Sequence, residues 1–486
     1  MDAGTKRPRG SVEDGLWPLV ESLLGSHDVA GLAVAVVREE EVVSRGFGVR
    51  DLGTGEPVTP ETMFHLASVS KPFVATAVVS LAIDLDAPIV EWVPEFTLAD
   101  GRHGEITARG LLSHTSGLPD VAEYGWHEPQ LGDEALSDFA RSLSHRRLKS
   151  EPGSAFSYSN AGYELLGLVL SRATGTTFED AIRQRLLTPL GMRTSTFLRS
   201  EVPADLAASP HVGMPLTVPE GAYPYTRRHA PSSSLHSNLD EMCRWMMAHL
   251  EPVGDGDSDG SWARLETGLI NQMWQPVVDV GEPPWEEAWA LGWALGSYRG
   301  LRTIGHSGAD PGFGSRLVLV PERRTGVVVL ANSNTVPTYA IAAAALDLAL
   351  AVPGDQTGDG VTTLRTLLPP GVGRVAEALA TQGPEAAAVV FHRLASAEPA
   401  ELDLDDEEIE KAVWGAIELN RTAMVWPLLR LWIAVRPDSS AACMMNGWAH
   451  QADGDLDLAR GLLQRALDLD PANEDAALVM SGLPSV

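Results

Sequence analysis

Strand-like segments occur at both ends of the first 350 residues and are separated by a long region of helical periodicity. Residues 32–38 and 41–48 are two β-branched runs joined by a short polar turn, which predicts an antiparallel hairpin. The pattern returns late in the chain, in four short runs separated by turns: 293–298, 301–304, 316–320 and 326–330. Between them, about residues 72–284 have apolar residues at i, i+3 and i+4. We therefore predict an antiparallel sheet that is assembled from both ends and encloses a helical lobe.

Glycines and prolines after this region divide the chain into two predicted domains. The apolar segment 340–352 predicts a helix that packs on the sheet, and residues 353–370 predict a linker. The predicted fold class is α/β (α+β), an antiparallel sheet flanked by helices with an all-α lobe, followed by a second, all-α domain. The predicted plan is a flexible tail, a first domain, the linker and a helical domain, at residues 1–10, 11–352, 353–370 and 371–486.

One segment of the second domain has the spacing of a tetratricopeptide (TPR) repeat. Small residues stand where two helices cross and a proline closes the second helix, at Gly447, His450, Gly454, Ala459, Leu463, Ala466 and Pro471. Two earlier copies are degenerate, so an ordinary helical bundle is the alternative. Residues 401–410 hold seven carboxylates in ten positions, which indicates a solvated helix start or a docking surface for a basic protein partner.

The charge balance excludes several classes of partner. The chain has 36 lysines and arginines against 65 aspartates and glutamates, a net charge of −29, which repels nucleic acids and anionic membranes. Cys243 and Cys443 are 200 positions apart and offer no disulfide framework. The first residues lack the apolar core of a secretory signal, and no apolar stretch has the length of a membrane span. We expect a cytoplasmic protein without nucleic-acid or membrane partners.

Residues 68–71 contain the first group suited to chemistry. Ser68 and Lys71 are three positions apart, which on a helix places the hydroxyl and the amine on one face. A serine hydroxyl is a weak nucleophile, and a lysine can act as its base when burial and nearby cations lower the lysine pKa. Ser70 is adjacent to Lys71 in sequence and points away from it. The spacing predicts Ser68 as the nucleophile.

A second motif comprises Tyr158 and Asn160. The Tyr158 phenol can share a proton with Lys71, and Asn160 can hold the substrate carbonyl or the lysine. We therefore take this motif as part of the proton relay and the substrate site.

A third motif begins with His306, at the predicted end of a strand. Gly308 there lets a substrate lie against the strand edge. The backbone N–H of Ala309 can pair with that of Ser68 as an oxyanion hole. The third motif therefore predicts substrate-binding residues.

Ser-x-x-Lys, Tyr-x-Asn and His-x-Gly in this order resemble the motifs of the serine β-lactamase and penicillin-binding-protein superfamily. The likeness is to the branch that holds class C β-lactamases, D-alanyl-D-alanine carboxypeptidases, D-aminopeptidases and family VIII esterases. It covers about residues 20–352 and extends to segments 111–118, 189–192 and 231–237. The resemblance implies the β-lactamase-like fold and an acyl-enzyme on Ser68, with Lys71 and Tyr158 as the proton relay. It also implies substrate contacts by Asn160 and His306.

The third motif departs from class C β-lactamases, which resemble one another in having lysine where this sequence has His306. Histidine is mostly neutral at pH 7 and cannot replace a fixed charge that holds a drug's carboxylate, so penicillin hydrolysis is disfavoured. Carboxypeptidases of the branch can have His-x-Gly, but they act on cell-wall peptides outside the membrane, which a protein without an export signal does not reach. Esterases and acyltransferases of this fold act inside the cell on neutral acyl compounds. The prediction is therefore an intracellular serine hydrolase that acts on esters or related small acyl substrates.

Several alternatives stay open. An acyltransferase or thioesterase acting on a carrier-bound acyl or peptidyl group forms the same acyl-enzyme, and a DD-peptidase or β-lactamase is a further possibility. A non-catalytic TPR interaction protein is disfavoured because Ser68, Lys71 and Tyr158 are all present. No cofactor and no metal are expected.

Some aromatic and basic residues have two interpretations. Trp285, Trp289 and Trp293 are four apart and either line an acyl pocket or belong to the core. His103, His114 and the basic segment 227–229 are interpreted as exposed loop residues and not as a metal or anion site. The serines of 231–234, where the family often has glycines, leave the shape of that pocket wall undetermined.

Overall fold

The computed structural model describes most of the chain. The described ranges are 11–27, 29–39, 41–121, 124–213, 216–219, 223–252, 265–333, 335–350, 359–397, 399–418 and 422–483. The predicted tail at 1–10 and residues 353–358 of the predicted linker lie outside these ranges.

Helices occupy both predicted domains. In chain order they are α1 Ser11–Ser26, α2 Ser70–Val79, α3 Ala108–Leu112, α4 Ala135–Ser142, α5 Asn160–Thr174, α6 Phe178–Ile182, α7 Ala230–Ser233, α8 Leu239–Leu250, α9 Thr267–Met273, α10 Thr338–Leu350, α11 Asp359–Thr366, α12 Val372–Gln382, α13 Pro384–Ala395, α14 Asp406–Glu418, α15 Thr422–Val435, α16 Ser440–Asp453, α17 Leu456–Leu469 and α18 Glu474–Ser481.

Strands occur only before α10 in the described residues. They are β1 Gly31–Arg38, β2 Glu41–Gly48, β3 Phe64–His65, β4 His236–Ser237, β5 Val278–Glu282, β6 Glu286–Trp289, β7 Ala294–Tyr298, β8 Leu301–Asp310, β9 Phe313–Val320 and β10 Thr325–Ala331. β3 and β4 pair with each other, and the other eight described strands form one sheet in the order β2-β1-β10-β9-β8-β7-β6-β5.

The sheet is assembled from both ends of the first region. β1 pairs antiparallel with β10, with Val34 opposite Val329, and with β2, with Val36 opposite Val43. The chain must therefore return from residue 278 onward to complete a sheet that it began at residue 31. The predicted antiparallel sheet with an enclosed helical lobe is confirmed.

Several strands of the sheet differ from the prediction. β5 lies inside the segment 72–284 that was predicted to be helical, and it was missed because it is mostly exposed and the alternation of Val278 and Val280 with Asp279 is short. β6 was not predicted either. β8 was predicted at 301–304 and in fact continues to Asp310. Gly305 and Gly308 lower the strand propensity of this stretch, and tertiary contacts override that propensity.

Helices cover both faces of the sheet. A Cβ added at Gly326 of β10 would meet the side chains of Met246 and Leu250 in α8. Arg316, which pairs with Val329, lies on the opposite face, with its guanidinium 3.9 Å from the ring centroid of Tyr339 in α10. Alternate residues of a strand face opposite sides, so α8 and α10 cover different faces.

Helix α2 lies at the centre of the helical lobe. All of its residues are buried, and α5, α7 and α9 pack against it. A helix that is apolar on every side is stable only in such a position. This placement brings Lys71, in the first turn of α2, into the interior.

The chain forms two compact units, one of Met1–Gly25, Val29–His211 and Glu220–Arg365, the other of Ser26–Asp28, Val212–Pro219 and Thr366–Val486. Within the predicted linker, residues 359–366 form α11, which was not expected to be helical or packed. Gly360 allows this packing, because a Cβ there would lie 2.5 Å from the backbone of Ala343. The Val361 N–H donates to the buried Asp347 at 3.1 Å. The domain boundaries themselves stay a prediction.

The second unit contains the helical pair that the repeat spacing predicted. α16 and α17 cross closely at Gly447, where an added Cβ would lie 2.8 Å from Leu463. Whether the unit is a tetratricopeptide stack that binds a protein partner stays a prediction. In the described part of the chain, no helix combines the length and apolar character of a membrane span. A cytoplasmic location likewise stays a prediction.

Candidate active site

Ser68 lies in a tight turn that joins β3 to α2. The short 3-10 helix Ala67–Val69 begins with a φ of +46°, in the left-handed region that alanine rarely adopts. Strained backbone of this kind persists where neighbouring contacts hold it. Here the Leu66 N–H donates to the carbonyl of Leu235 at 2.8 Å. Ser68 is only partly buried between buried neighbours, so the turn presents its hydroxyl to accessible space.

Lys71 is the buried partner of this hydroxyl. Its Nζ lies 2.8 Å from the Ser68 Oγ and donates a second hydrogen bond of 2.9 Å to the carbonyl of Ser232. Burial of the Lys71 side chain lowers its pKa to about 8, and the Glu164 carboxylate opposes this shift. A lysine with this pKa is partly unprotonated near neutral pH and can accept the Ser68 proton.

Ser70 makes different contacts. Its Oγ donates to the carbonyl of Ala67 at 2.6 Å and accepts the N–H of Leu235 at 2.9 Å. The residue is fully buried. Ser70 therefore fixes the turn and faces away from Lys71, as the spacing predicts.

The Tyr158 phenol completes a group of three around the Ser68 hydroxyl. The Lys71 Nζ lies 5.0 Å from the centroid of the Tyr158 ring. Burial raises the pKa of Tyr158 well above its ordinary value, and a hydrogen bond with Ser68 opposes the rise. The phenol therefore stays protonated and can pass a proton through Ser68 to or from a reacting group.

His114 supports the phenol from behind. The two rings stack with centroids 4.2 Å apart, and the His114 Nδ1 accepts the Ser159 N–H at 3.1 Å. Burial lowers the pKa of His114 well below its ordinary value, so the ring is neutral, with its proton on Nε2. The expectation of an exposed loop residue was wrong, since the side chain is 1% exposed and lies among the aromatic rings of the site.

Asn160 is held by a carboxylate. Its backbone N–H donates to Asp120 at 2.6 Å, and its side-chain Nδ2 donates to the other oxygen of Asp120 at 3.1 Å. Asn160 is the first residue of α5, where a backbone N–H has no partner within the helix. Asp120 therefore fixes the amide, while Lys71 uses the Ser232 carbonyl as its second acceptor.

The third motif lies within β8 and not at its end. The His306 Nδ1 lies 2.6 Å from the Ser307 carbonyl and therefore donates to it, and the buried Nε2 has no hydrogen-bond partner among the described residues. Burial, with the positive charge of Lys71 nearby, lowers the pKa of His306 to about 3. This ring is neutral at any pH near 7.

Gly308 is where β8 meets the nucleophile turn. A Cβ there would lie 2.5 Å from the Leu66 carbonyl oxygen and 2.9 Å from the Ser68 nitrogen. The turn that carries Ser68 therefore requires a glycine at this position. That Gly308 also lets a substrate lie against the strand edge stays a prediction.

In the part of the chain that the structure describes, one edge of β8 is unpaired beside Ser68. β7 pairs with β8 only from Leu301 to Gly305, so the ladder between them ends before Ala309. Ala309 is exposed. The Ser68 N–H is among the first of its helix, where such groups have no intrahelical partner. The backbone N–H groups of Ser68 and Ala309 can therefore donate hydrogen bonds to a substrate carbonyl oxygen.

Several charged residues of the site were not predicted. Glu164, Asp120 and Asp310 surround Lys71 and oppose the fall of its pKa. The Asp310 carboxylate lies 2.8 Å from the His65 Nε2. Glu164 lies four positions after Asn160 on α5, a helical spacing that places the two on one face and that was the available sequence signal.

The three spaced tryptophans do not act together. Trp289, at the end of β6, packs against His306 with ring centroids 5.3 Å apart. Trp293 belongs to the core and is fully buried, and Trp285 stacks on Tyr298 at 5.0 Å. Their spacing arises in strands and turns, so only Trp289 lies at the site.

The remaining basic residues have structural partners. The Leu98 N–H donates to the His103 Nδ1 at 3.4 Å. Arg227 is bound by Glu179, and the His229 Nδ1 lies 3.2 Å from Glu164. Arg227 and His229 are half-buried or buried, so the expectation of an exposed loop at 227–229 was wrong.

An antiparallel sheet beside a helical lobe, with a serine and a buried lysine in hydrogen-bond contact, places this chain among the serine hydrolases of the β-lactamase fold. The Beta-lactamase family model matches residues 18–351, and the chain therefore belongs to this family.

Relatives and solved structures agree with this assignment. Penicillin-binding protein 4 of Amycolatopsis lactamdurans is 29% identical over 330 residues, which are 66% of this chain and 85% of the relative. Protein flp of Staphylococcus aureus strain MW2 is 26% identical, and the match covers 65% of this chain and 62% of that protein. The octameric penicillin-binding protein homologue from Pyrococcus abyssi is similar in structure, with 26% identity, a TM-score of 0.60 and coverage of 70% of this chain and 77% of that chain.

Proposed function

We propose that the protein hydrolyses small acyl esters through an acyl-enzyme on Ser68. The observation that carries this proposal is the 2.8 Å contact between the Ser68 Oγ and the Lys71 Nζ, whose pKa burial lowers to about 8. In the proposed reaction, unprotonated Lys71 takes the Ser68 proton while Oγ bonds to the substrate carbonyl carbon. Tyr158 gives its phenol proton to the leaving alcohol as the bond between that alcohol and the carbonyl carbon breaks, and protonated Lys71 restores the proton of Tyr158. Water then attacks the acyl-enzyme and gives a proton to Lys71, which passes a proton back to the Ser68 Oγ as that oxygen leaves and the free acid is released.

The preference for esters without a carboxylate next to the reacting group rests on His306. Burial lowers its pKa to about 3, so the third motif offers no positive charge there. A buried carboxylate without a cation or sufficient donors is costly, so substrates that place one beside His306 should bind poorly. Some relatives of the same family are named penicillin-binding proteins. The proposal departs from the activity that this name suggests, because the third motif of this chain has no positive charge at His306.

The test compares a neutral 4-nitrophenyl butyrate with benzylpenicillin and a D-Ala-D-Ala peptide. We expect a higher kcat/KM for the neutral ester in the wild type and in His306→Gln, which keeps a neutral side chain. In His306→Lys, kcat/KM for benzylpenicillin or the peptide should rise relative to kcat/KM for the neutral ester. A wild-type preference for either carboxylate substrate would overturn the proposed substrate class.

Transfer of the acyl group to an acceptor other than water uses the same acyl-enzyme. Product analysis in the presence of an added alcohol, amine or carrier thiol distinguishes hydrolysis from acyl transfer. Under the hydrolase proposal the free acid stays the main product at millimolar concentrations of the acceptor. A product in which most of the acyl group is on the acceptor would establish a transferase.

A further inference from the structure

A second feature of the first unit is a cavity of about 530 Å³. It lies between the segments 126–131, 198–200 and 223–227, and its walls include Trp126, Leu131, Leu198, Tyr223 and Tyr225. This volume is in the range of small-molecule binding sites, and such sites combine apolar walls with a few polar groups. The cavity is therefore large enough for an aromatic or branched apolar group.

Two arginines border the cavity, and their environments differ. Arg227 is neutralised, because its Nε donates to Glu179 at 2.7 Å and its Nη1 to Asp133 at 2.5 Å. Arg199 is half-buried and lies over the Tyr223 ring, 4.6 Å from its centroid. Arg199 thus lines the cavity with its guanidinium packed on the Tyr223 ring, in a cation–π contact.

Nearby carboxylates do not neutralise Arg199. Glu201 is bound by Arg183 and accepts from the Thr196 hydroxyl at 2.6 Å. Asp310 is engaged by His65 at 2.8 Å. No carboxylate of the described residues forms an ion pair with Arg199, so its guanidinium is the positive charge at the cavity that a ligand can use.

One wall connects the cavity to the nucleophile turn. The Tyr223 hydroxyl lies 2.9 Å from the His236 Nε2, and His236 pairs with His65 in the β3–β4 ladder. β3 leads directly into the turn that holds Ser68. A group bound against Tyr223 is therefore next to the residues that precede the nucleophile.

The opposite wall reaches the site through Tyr124. Its ring stacks on Trp126 at 4.7 Å. The Tyr124 ring also lies 5.1 Å from the ring of His229, whose Nδ1 is 3.2 Å from Glu164, one of the carboxylates around Lys71. Two walls of the cavity are thus linked by side-chain contacts to residues around Ser68 and Lys71.

We propose that this cavity selects substrates that carry a carboxylate on an aromatic or branched apolar substituent, with the carboxylate on Arg199. The proposal rests on the proposed Ser68 hydrolase. It does not conflict with the neutral His306, because Arg199 and His306 lie on different elements and receive different parts of the substrate. Arg199 offers a planar donor pair that matches a carboxylate.

The test uses two 4-nitrophenyl esters of phenylacetic acid that differ at the para position. One has a carboxymethyl group and the other has its neutral carboxamide. We expect the wild type to favour the carboxylate ester by about tenfold in kcat/KM, as one charge-assisted contact supplies. Arg199→Gln should remove this preference, and Arg193→Gln, which changes an exposed arginine six positions earlier, should keep it. The preference should fall as salt rises.

The outcomes separate the two proposals. If neither ester is turned over, the proposed hydrolase fails. If the neutral ester is turned over while the carboxylate ester is not favoured, or if Arg199→Gln keeps the preference, the cavity proposal fails and the hydrolase stands. Binding of 4-carboxymethylphenylacetate to the Ser68→Ala variant, followed by tryptophan fluorescence, gives a second readout that requires no turnover. Binding of equal strength with and without Arg199 would overturn the proposal.

Discussion

The His114 imidazole stacks on the Tyr158 phenol, with ring centroids 4.2 Å apart. One face of the phenol is therefore packed against a neutral aromatic ring, while its hydroxyl is at Ser68. The stack restricts the rotation of Tyr158 and ties its position to the loop that carries His114. The orientation of the proton relay thus depends on His114, a buried residue outside the three motifs.

His114→Ala should lower kcat more than it raises KM. The change removes the stack and leaves the buried Ser159 N–H unpaired, which costs about 1–3 kcal/mol of stability. His103→Ala is the matched control, because His103 also accepts a backbone N–H but lies away from the site. Steady-state kinetics and urea unfolding of both variants check this prediction. An equal loss of kcat in the two variants would show that His114 acts only through stability.

Glu164→Gln should move the rising limb of the pH–kcat/KM profile to lower pH. Burial lowers the pKa of Lys71 to about 8, and Glu164 is the largest effect opposing that fall. Without its negative charge the protonated lysine is less favoured, so the Lys71 pKa falls further. Since the base acts unprotonated, kcat/KM at pH 6 to 7 should rise relative to its plateau, with a limb shift of about one pH unit.

Asp347→Asn is the control for this shift. Asp347 is a buried carboxylate on α10, which covers the face of the sheet opposite α8, and it accepts the Tyr298 hydroxyl at 3.0 Å. Its removal should leave the limb in place. A limb that moves to higher pH in Glu164→Gln would contradict the assignment of Lys71 as the base.

Gly308→Ala should reduce both stability and activity. The added methyl group would lie 2.5 Å from the Leu66 carbonyl oxygen and from the Ser315 Oγ, and 2.9 Å from the Ser68 nitrogen. Overpacking of this kind costs about 1–3 kcal/mol, and it displaces the turn that holds the nucleophile. In Gly104→Ala, where nothing lies within 4 Å of the new carbon, both quantities should stay near wild type. Unchanged ester kinetics in Gly308→Ala would refute the close approach of β8 to Ser68.

The order of the motifs made much of the site predictable. The three-residue spacing identified the pair that the structure brings to 2.8 Å, and the β-branched runs predicted the strands that surround it. These signals are local: a helical spacing and a period of two are visible without knowledge of the fold.

What the sequence could not show depends on contacts between distant segments. The Ser232 carbonyl reaches Lys71 across 161 positions, and the partner of Asp310 is His65, 245 positions away. The continuation of β8 past Ile304 was hidden by glycines that are needed for packing. Arg199 shows the same limit, because its proposed role depends on Glu201, two positions away, being bound by Arg183.

The central claim is that Ser68 becomes acylated, and intact-mass measurement after acid quench tests it most directly. With a 4-nitrophenyl ester, the wild type should gain the mass of one acyl group. Ser70→Ala should gain it too, because Ser70 makes structural hydrogen bonds to the turn. Ser68→Ala should show no adduct while its circular dichroism stays that of the wild type. An adduct that persists in Ser68→Ala, or a peptide map that places the acyl group on Ser70, would contradict the account.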